Sequence, residues 1–230
     1  MHTFLKDIYE CRYINTSITI DGDFDKPIWR KAEPIKFFLP VTYDQPQSHT
    51  EAGLLWDDNY LYAGFKAYDK DIFAYNTERD SSTCNDDVLE FFFKTNPNEE
   101  PYYNFEINAL NTVYDAFNLR RHAAGGGHRW KRWDCAGLKS AVKIKGTIND
   151  PSDEDEYWSL EIAIPFSSLN IGRKIGDHPV EGREWTFHLA RYDYSVYLKT
   201  GVELSSSARL SIADFHKYED WGKLVFAKHG

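Results

Sequence analysis

Apolar and polar residues alternate along most of this chain, and that alternation is the feature that most constrains its fold. A period of two residues is typical of a β-strand with one buried face, because successive side chains of a strand point to opposite sides. Apolar stripes with the period of a helix are short. The chain is therefore predicted to be all-β, an antiparallel, jelly-roll-like β-sandwich with one or two short helices.

The segments with strand pattern are bounded by turn residues, and they cover residues 51–56, 60–69, 88–93, 102–109, 138–149, 157–164, 184–193 and 222–227. Residues 57–59 (Asp-Asp-Asn), which tolerate the left-handed backbone conformation, predict a hairpin turn between the first two strands. Residues 25–32 are predicted as a short helix, with Asp25 as its acidic cap and Pro27 in its first turn. Residues 166–169 are predicted as one helical turn.

The length of 230 residues suits one large sandwich domain. A chain of this size buries roughly 70% of the surface that its unfolded state exposes, which is enough for a stable core without disulfide bonds or a metal ion. Residues 18–230 are predicted as a single domain after an N-terminal lead-in over residues 1–17. The cysteines Cys11, Cys84 and Cys135 have no close spacing, so a dense disulfide framework and a zinc ribbon are excluded.

Acidic residues outnumber basic ones, 36 to 27, and the formal net charge is −9. This balance disfavours binding to nucleic acid or to an anionic membrane surface, since both reward basic patches. The first residues lack the basic and apolar parts of a signal peptide, and no apolar run is long enough to span a membrane. The sequence as written predicts a cytoplasmic protein, or an extracellular one if a leader has been removed. It leaves the oligomeric state open.

Hydrogen-bonding side chains line one face of the strand predicted at residues 102–109. Asn104, Glu106 and Asn108 share that face, and Glu90 has the same outward parity on the preceding strand. Three interpretations stay open for the two glutamates: they face water, they contact a sugar, or they form the carboxylate pair of a glycoside hydrolase. The motifs H-E-x-x-H and G-x-S-x-G and the phosphate loop are absent.

The segment 119–135 is unusual because it gathers four arginines, one lysine and two tryptophans in an acidic protein. Trp130 and Trp133 have two interpretations. Either they pack over the end of the sandwich, or one of them stacks on a ligand ring while arginines bind hydroxyls or carboxylates.

Taken in their order and spacing, several pieces of the chain resemble the family 9 carbohydrate-binding modules. They are Ile20-Asp21-Gly22 with Trp29 and Ala32, Leu55-Trp56-Asp57-Asp58 before Tyr60-Leu61-Tyr62, residues 86–92 (DDVLEFF), residues 103–108 (YNFEIN), residues 158–166 (WSLEIAIPF), and Asp214-Phe215-His216 with residues 221–226 (WGKLVF). The resemblance runs from about residue 18 to residue 227.

This resemblance implies a sugar-binding β-sandwich of the kind carried on polysaccharide-degrading enzymes, and it also implies a structural calcium ion. Asp87, Glu90 and Asn108 match the family pattern, and Phe215 stands at its C-terminal aromatic position. Two positions depart from the pattern. Cys84 replaces an aromatic residue of the sugar clamp, and Glu106 replaces a cationic one.

We therefore expect a relocated aromatic platform at Trp130 or Trp133, with Arg79 or Arg191 as a clamp for hydroxyls or carboxylates. The predicted function is non-catalytic binding of an oligosaccharide or polysaccharide, linked to its breakdown. The alternatives are a glycoside hydrolase that uses a carboxylate pair, and a ligand-binding or redox sandwich module. The absence of any methionine beyond Met1 disfavours a haem version of the last alternative.

Overall fold

Eleven β-strands are the main regular elements of the computed structural model, which describes residues 8–121, 133–169 and 178–228. The strands are β1 (Ile8–Tyr13), β2 (Thr50–Trp56), β3 (Tyr60–Tyr68), β4 (Val88–Lys94), β5 (Tyr102–Asn108), β6 (Val113–Asn118), β7 (Lys139–Lys145), β8 (Tyr157–Pro165), β9 (Glu184–Tyr194), β10 (Val202–Ser206) and β11 (Gly222–Ala227). The all-β prediction is confirmed.

The strands join into one curled sheet in the order β6-β5-β4-β9-β11-β1-β2-β3-β8-β7, and β10 pairs with the free part of β9. Most neighbours are antiparallel, but β1 pairs in parallel with both β11 and β2. The curl brings the β4–β5–β9 half over the β2–β3–β8 half, as in a sandwich. Phe91, Phe105 and Leu189 from one half share a core cluster with Phe65 and Leu160 from the other.

The alternation predicted from the sequence explains which side chains enter this core. Leu61, Ala63, Phe65 and Ala67 of β3 are all fully buried. The same rule on β5 sends Tyr103, Phe105 and Ile107 inward and leaves the other side chains on the outer face of that half. The alternation of side chains along each strand therefore decides which residues lie on the outer face, where a ligand can approach.

Three strands were not predicted, and each has a physical reason. β6 carries Asp115 on its inner face, which interrupts the apolar pattern, and β10 is short and polar. β1 alternates between exposed and buried residues but was assigned to the lead-in. Within the segment predicted as a lead-in over residues 1–17, β1 lies inside the sheet between β11 and β2.

The helical elements among the described residues are single 3-10 turns: Pro27–Lys31, Thr83–Asn85, Phe166–Ser168 and Tyr218–Asp220. The first and third confirm the predicted short helices. The expected cap at Asp25 is wrong, because Lys26 holds the cap position and Asp25 pairs with Lys66 instead. No helix in the described part of the chain is long and apolar enough to cross a membrane.

Candidate functional site

The outer face of the β4–β5–β6–β9 half carries a group of polar side chains that we call the polar patch. Glu90 of β4 lies directly opposite Glu106 of β5, and Glu106 lies opposite Tyr114 of β6. Cross-strand partners share a face of the sheet, so these three side chains stand side by side. The patch consists of Cys84, Glu90, Asn104, Glu106, Tyr114 and Tyr192.

Hydrogen bonds hold the carboxylate of Glu106 at the centre of the polar patch. Its Oε1 accepts a bond of 2.8 Å from Nδ2 of Asn104, two residues earlier on the same face. Its Oε2 accepts a bond of 2.8 Å from Oγ1 of Thr83, which the 3-10 turn Thr83–Asn85 places above β5. The rotamer of Glu106 is therefore set by its neighbours before any ligand arrives.

Burial and negative charge control the protonation of the polar patch. Glu90 is 2% exposed, and its burial, followed by the charge of Glu106, raises its pKa well above the ordinary value. Burial and the two glutamates also raise the pKa of the Cys84 thiol to about 11. Burial and the same carboxylates raise the pKa values of Tyr114 and Tyr192. The patch thus combines the hydrogen-bonded acceptor Glu106 with a buried carboxyl group whose pKa is raised.

Aromatic side chains flank the polar patch on the β9 side. The ring of Phe215 meets the ring of Tyr192 edge-on, with 5.1 Å between centroids. Behind them, His188 stacks on Phe92 at 4.8 Å, and its Nδ1 lies 2.9 Å from Oγ of Ser206. Burial, followed by the charge of His216, lowers the pKa of His188 to about 3, so this ring is neutral.

This arrangement offers donors, acceptors and aromatic faces together, which suits a ligand rich in hydroxyl groups. A hydroxyl both donates and accepts hydrogen bonds, so it can bond to a carboxyl group on one side and to an amide or a phenol on the other. The geometry is less suited to hydrolysis. Glu90 and Glu106 approach a ligand from the same face of one sheet, whereas glycosidases place their two carboxyl groups on either side of the scissile bond.

Four of the predicted site residues belong to this surface. Glu90, Asn104 and Glu106 lie together in the polar patch, and Phe215 reaches it through Tyr192. The interpretation that both glutamates simply face water fails for Glu90, which is almost fully buried.

Asp87 lies on the inner face of the sheet, and Asn108, on the outer face with Glu106, is fully covered; both use their polar atoms inside the protein. Asp87 accepts hydrogen bonds of 2.6 Å from the backbone N–H groups of both Phe73 and Tyr194. Asn108 donates to the backbone oxygen of Asn76 and to Asp86, and its own Oδ1 accepts two backbone N–H groups. Both residues are fully buried. The sugar contacts predicted for them are corrected to roles in holding loops.

Neither predicted arginine is placed as a clamp over Glu106. Arg191 is fully buried on the inner face of β9, where its Nη2 lies 2.9 Å from Asp69 and 3.3 Å from Asp193. Arg79 is 44% exposed and pairs with the buried Asp115 and with Asp134, which is 2.9 Å away. The prediction that Arg191 acts as a clamp is wrong, because Arg191 occupies an inward-facing position of β9.

Trp133 lies on the core side of β5. Its ring packs against Tyr103 at 5.2 Å and Phe105 at 6.1 Å, and both of those residues have the parity opposite to that of Asn104 and Glu106. Packing over the sandwich, one of the two interpretations left open, is what the structure shows for Trp133. Trp130 lies outside the described residues.

Sequence reasoning missed Tyr192, Tyr114 and Thr83. The first could have been found, since Thr186, His188, Ala190 and Tyr192 occupy alternate positions of the predicted strand 184–193. Tyr114 was missed with its strand β6. Thr83 comes from a loop, and no period in the sequence indicates where a loop side chain will point.

The residues that could hold a calcium ion lie behind the polar patch. Asp69, Asp87 and Asp193 are buried, and each offers one carboxylate oxygen within 4.8 Å of the others. The three carboxylates and the guanidinium of Arg191 leave two formal negative charges. Neither carboxylate oxygen of Asp193 receives a hydrogen bond from a described residue. An all-oxygen donor set with that charge fits calcium.

Protons compete with a calcium ion for the carboxylates of this trio. Burial raises the pKa of Asp69 to about 6, against the opposing effect of Arg191. Burial and the charges of Asp69 and Asp193 raise the pKa of Asp87 well above its ordinary value. A second trio, Asp80, Asp115 and Asp134, already has Arg79 paired to two of its members. It is the poorer candidate, because one of its acids is exposed.

A cleft of about 990 Å³ lies elsewhere, lined by residues of the segments 24–38 and 45–53 and by no member of the polar patch. Several of its charged groups already have partners: Asp25 pairs with Lys66, and Lys26 pairs with Glu161. We prefer the polar patch as the candidate site because its two carboxyl groups face each other, and burial followed by the charge of Glu106 raises the pKa of Glu90.

The fold has solved relatives. One is a protein of Bacteroides uniformis ATCC 8492 that is assigned a carbohydrate-binding role; it is 15% identical, with a TM-score of 0.72, and the match covers 96% of this chain and 100% of that one. A family 9 carbohydrate-binding module of Caldicellulosiruptor kristjanssonii matches in its complex with cellotriose at 16% identity and a TM-score of 0.64, over 97% of this chain and 95% of that one. Its glucose complex matches with the same identity and score, over 97% of each chain.

These likenesses, at such low identity, establish the fold, a β-sandwich. No protein of curated function matches the sequence. The family model described as "Carbohydrate family 9 binding domain-like" matches residues 20–228, which is nearly the whole chain. That match confirms the resemblance inferred from the sequence motifs. The chain belongs to the family 9 carbohydrate-binding domain-like family.

Proposed function

We propose that this protein binds carbohydrate without cleaving it, and that the polar patch is its binding site. The observation that carries the proposal is the facing pair of Glu90 and Glu106, with Asn104 bonded to Glu106 and tyrosines on both sides. Sugar hydroxyls would meet the carboxyl groups, and an apolar sugar face would lie against the flanking rings. The related module from Caldicellulosiruptor kristjanssonii binds cellotriose and glucose, which supports a sugar as the ligand.

The affinity expected for such a site is modest, on the order of micromolar to millimolar. Each hydrogen bond exchanges a bond to water for a bond to the ligand, so its net contribution is only about 1 kcal/mol. The oligosaccharide or polysaccharide would be held close to an enzyme that degrades it, in keeping with the role implied by the family.

The proposal includes a structural calcium ion held by Asp69, Asp87 and Asp193. Asp87 also bonds the backbone of Phe73 and Tyr194, so an ion bound there would stiffen the loops beside Cys84. The ion would act on the stability of the site, because these carboxylates lie on the opposite face of the sheet from the polar patch.

A glycan array probed with the purified protein tests the proposal, with the Glu106→Gln variant run in parallel. We expect the wild-type protein to retain a selective set of glycans and the variant to retain them more weakly. Assays for released reducing sugar on the retained glycans should show no turnover. A wild-type array with no bound glycan would contradict the binding proposal, and turnover that depends on Glu90 would replace it with hydrolysis.

A further inference from the structure

Four aromatic side chains continue from the polar patch along the outer face of the sheet, and we call them the aromatic row: Tyr192, Tyr194, Phe73 and Tyr75. The rings of Tyr192 and Tyr194 are nearly parallel, at 12°, with centroids 6.3 Å apart. Phe73 follows at 6.3 Å from Tyr194, and Tyr75 at 4.9 Å from Phe73. The row begins at a member of the polar patch and leads away from it.

The backbone explains why these rings share a face. Tyr192 and Tyr194 have the outward parity of β9, two residues apart. Ile72 and Ala74 are fully buried, so the intervening Phe73 and the following Tyr75 point outward. Asp87 ties the two segments together, because its two oxygens accept the N–H groups of Phe73 and Tyr194.

The row passes the position where the aromatic clamp of the family pattern is replaced by Cys84. The hydroxyl of Tyr194 donates a hydrogen bond of 2.8 Å to the backbone oxygen of Cys84. The aromatic surface that Cys84 cannot offer is thus present immediately beside it, on β9 and on the segment of Phe73.

The outer end of the row is open to solvent. Tyr75 is 66% exposed, and Phe73 and Tyr194 are half-buried. One exposed ring that adjoins half-buried rings forms a continuous apolar strip at the surface, and such strips on soluble proteins often mark binding sites. A row of rings that starts at a group of hydrogen-bonding side chains suits an amphipathic chain with both hydroxyl groups and apolar C–H faces.

We propose that the aromatic row extends the polar patch into a surface for several successive sugar units, so that the ligand is an oligosaccharide chain and not a single sugar. This inference rests on the proposed function. The polar patch takes one unit by hydrogen bonding, and the units that follow lie on Tyr194, Phe73 and Tyr75.

Calorimetric titrations with cello-, xylo- and manno-oligosaccharides, each from the monosaccharide to the hexasaccharide, test the proposal. We expect affinity in the preferred series to rise with chain length. Tyr75→Ala should lower the ratio of hexasaccharide to monosaccharide affinity by between about 2-fold and 10-fold, the range expected for one aromatic contact. Tyr75→Phe, which keeps the ring, should preserve that ratio.

Tyr157→Ala is the matched control, because Tyr157 is a half-buried tyrosine of β8 whose ring lies 4.2 Å from Nζ of Lys66. The ratio of hexasaccharide to monosaccharide affinity in Tyr157→Ala should equal that of the wild-type protein. Affinity that does not depend on chain length, with Tyr75→Ala indistinguishable from the wild type, would overturn the aromatic row and leave sugar binding by the polar patch intact. Absence of binding to every oligosaccharide by the wild-type protein would overturn both.

Discussion

Glu90 and Glu106 lie directly opposite each other on the neighbouring antiparallel strands β4 and β5. Like charges in this position destabilise a sheet, so the pair adds nothing to folding. Burial and the charge of Glu106 raise the pKa of Glu90, and Asn104 and Thr83 donate hydrogen bonds to Glu106. Carboxyl groups kept in contact at a cost to folding are typical of a site that binds a ligand.

Glu106→Gln should weaken sugar binding by about five- to tenfold, because hydrogen bonds to a charged group contribute about 1 kcal/mol more than bonds to a neutral one. Calorimetric titration with a glycan retained on the array measures the change. Glu154→Gln serves as the control, since Glu154 is exposed and pairs only with the exposed Lys70. Equal affinity in the wild-type protein and the Glu106 variant would exclude this carboxylate from the site.

Calcium should raise the melting temperature of the protein after treatment with a chelator. Saturation to about 100 times the dissociation constant stabilises a protein by about 2.7 kcal/mol, which is a shift of about 5–10 °C for a chain of this size. Asp193→Asn should remove most of the shift, and Asp58→Asn, which changes an exposed acid outside the trio, should keep it. A wild-type melting curve that calcium does not move would contradict the site.

His188 should make the protein sensitive to acid. The unfolded chain takes up a proton on this residue near pH 6.5, whereas burial holds the pKa in the folded protein at about 3. Because the unfolded state binds the extra proton over that window, the free energy of unfolding falls as the pH drops from 6.5 to 3, by at most about 5 kcal/mol. Denaturant titrations at a series of pH values measure this slope.

His188→Phe, which retains a ring against Phe92, should flatten the slope, and a change at the exposed His49 should leave it as in the wild type. A pH profile of the His188 variant identical to that of the wild type would show that the buried imidazole does not govern acid stability.

Arg191→Met should lower the free energy of unfolding by about 3–5 kcal/mol, because it leaves Asp69 and Asp193 buried without their cation. Arg79→Met should cost about 1 kcal/mol, since the Arg79 side chain is 44% exposed and solvent screens its ion pairs. Chemical denaturation near pH 7 compares the two variants. Equal losses would mean that the burial of Arg191 has no energetic consequence.

The loss in the Arg191 variant should shrink as the pH is lowered toward 5. The pKa of Asp69 is raised to about 6 and that of Asp87 is also raised, so protonation removes the uncompensated charge. Arg191→Lys, which keeps the cation but loses the paired guanidinium geometry, should lose less stability than Arg191→Met and should show a smaller dependence on pH.

The period-two pattern of the sequence was sufficient to predict most strands and to pair Glu90 with Glu106 on an outward face. It failed where polar residues occupy inner positions. Asp115 at an inner position of β6 interrupts the apolar alternation, so the pattern does not predict that strand. Arg191 is predicted as a surface clamp, although Trp185, Phe187 and Leu189 at alternate positions of β9 point to the same inner face. Buried charges such as these depend on partners that lie far away in the sequence.

The resemblance to a family matches residues in and beside the polar patch, but it does not give the role of each matching residue. Asp87 and Asn108 match the family pattern, yet their hydrogen bonds hold Phe73, Tyr194 and Thr112. A residue type at a matching position does not reveal whether its polar atoms are already used by the backbone. Only the hydrogen bonds of the folded chain distinguish a ligand contact from a support.

The most direct test of the central claim is a titration of the isotope-labelled protein with an array-selected glycan, followed by amide chemical shifts in NMR spectra. The account predicts saturable shifts centred on Glu90, Glu106 and Tyr192, and their loss in the Glu106→Gln variant. Shifts confined to the cleft lined by the segments 24–38 and 45–53, with the polar patch unchanged, would contradict it.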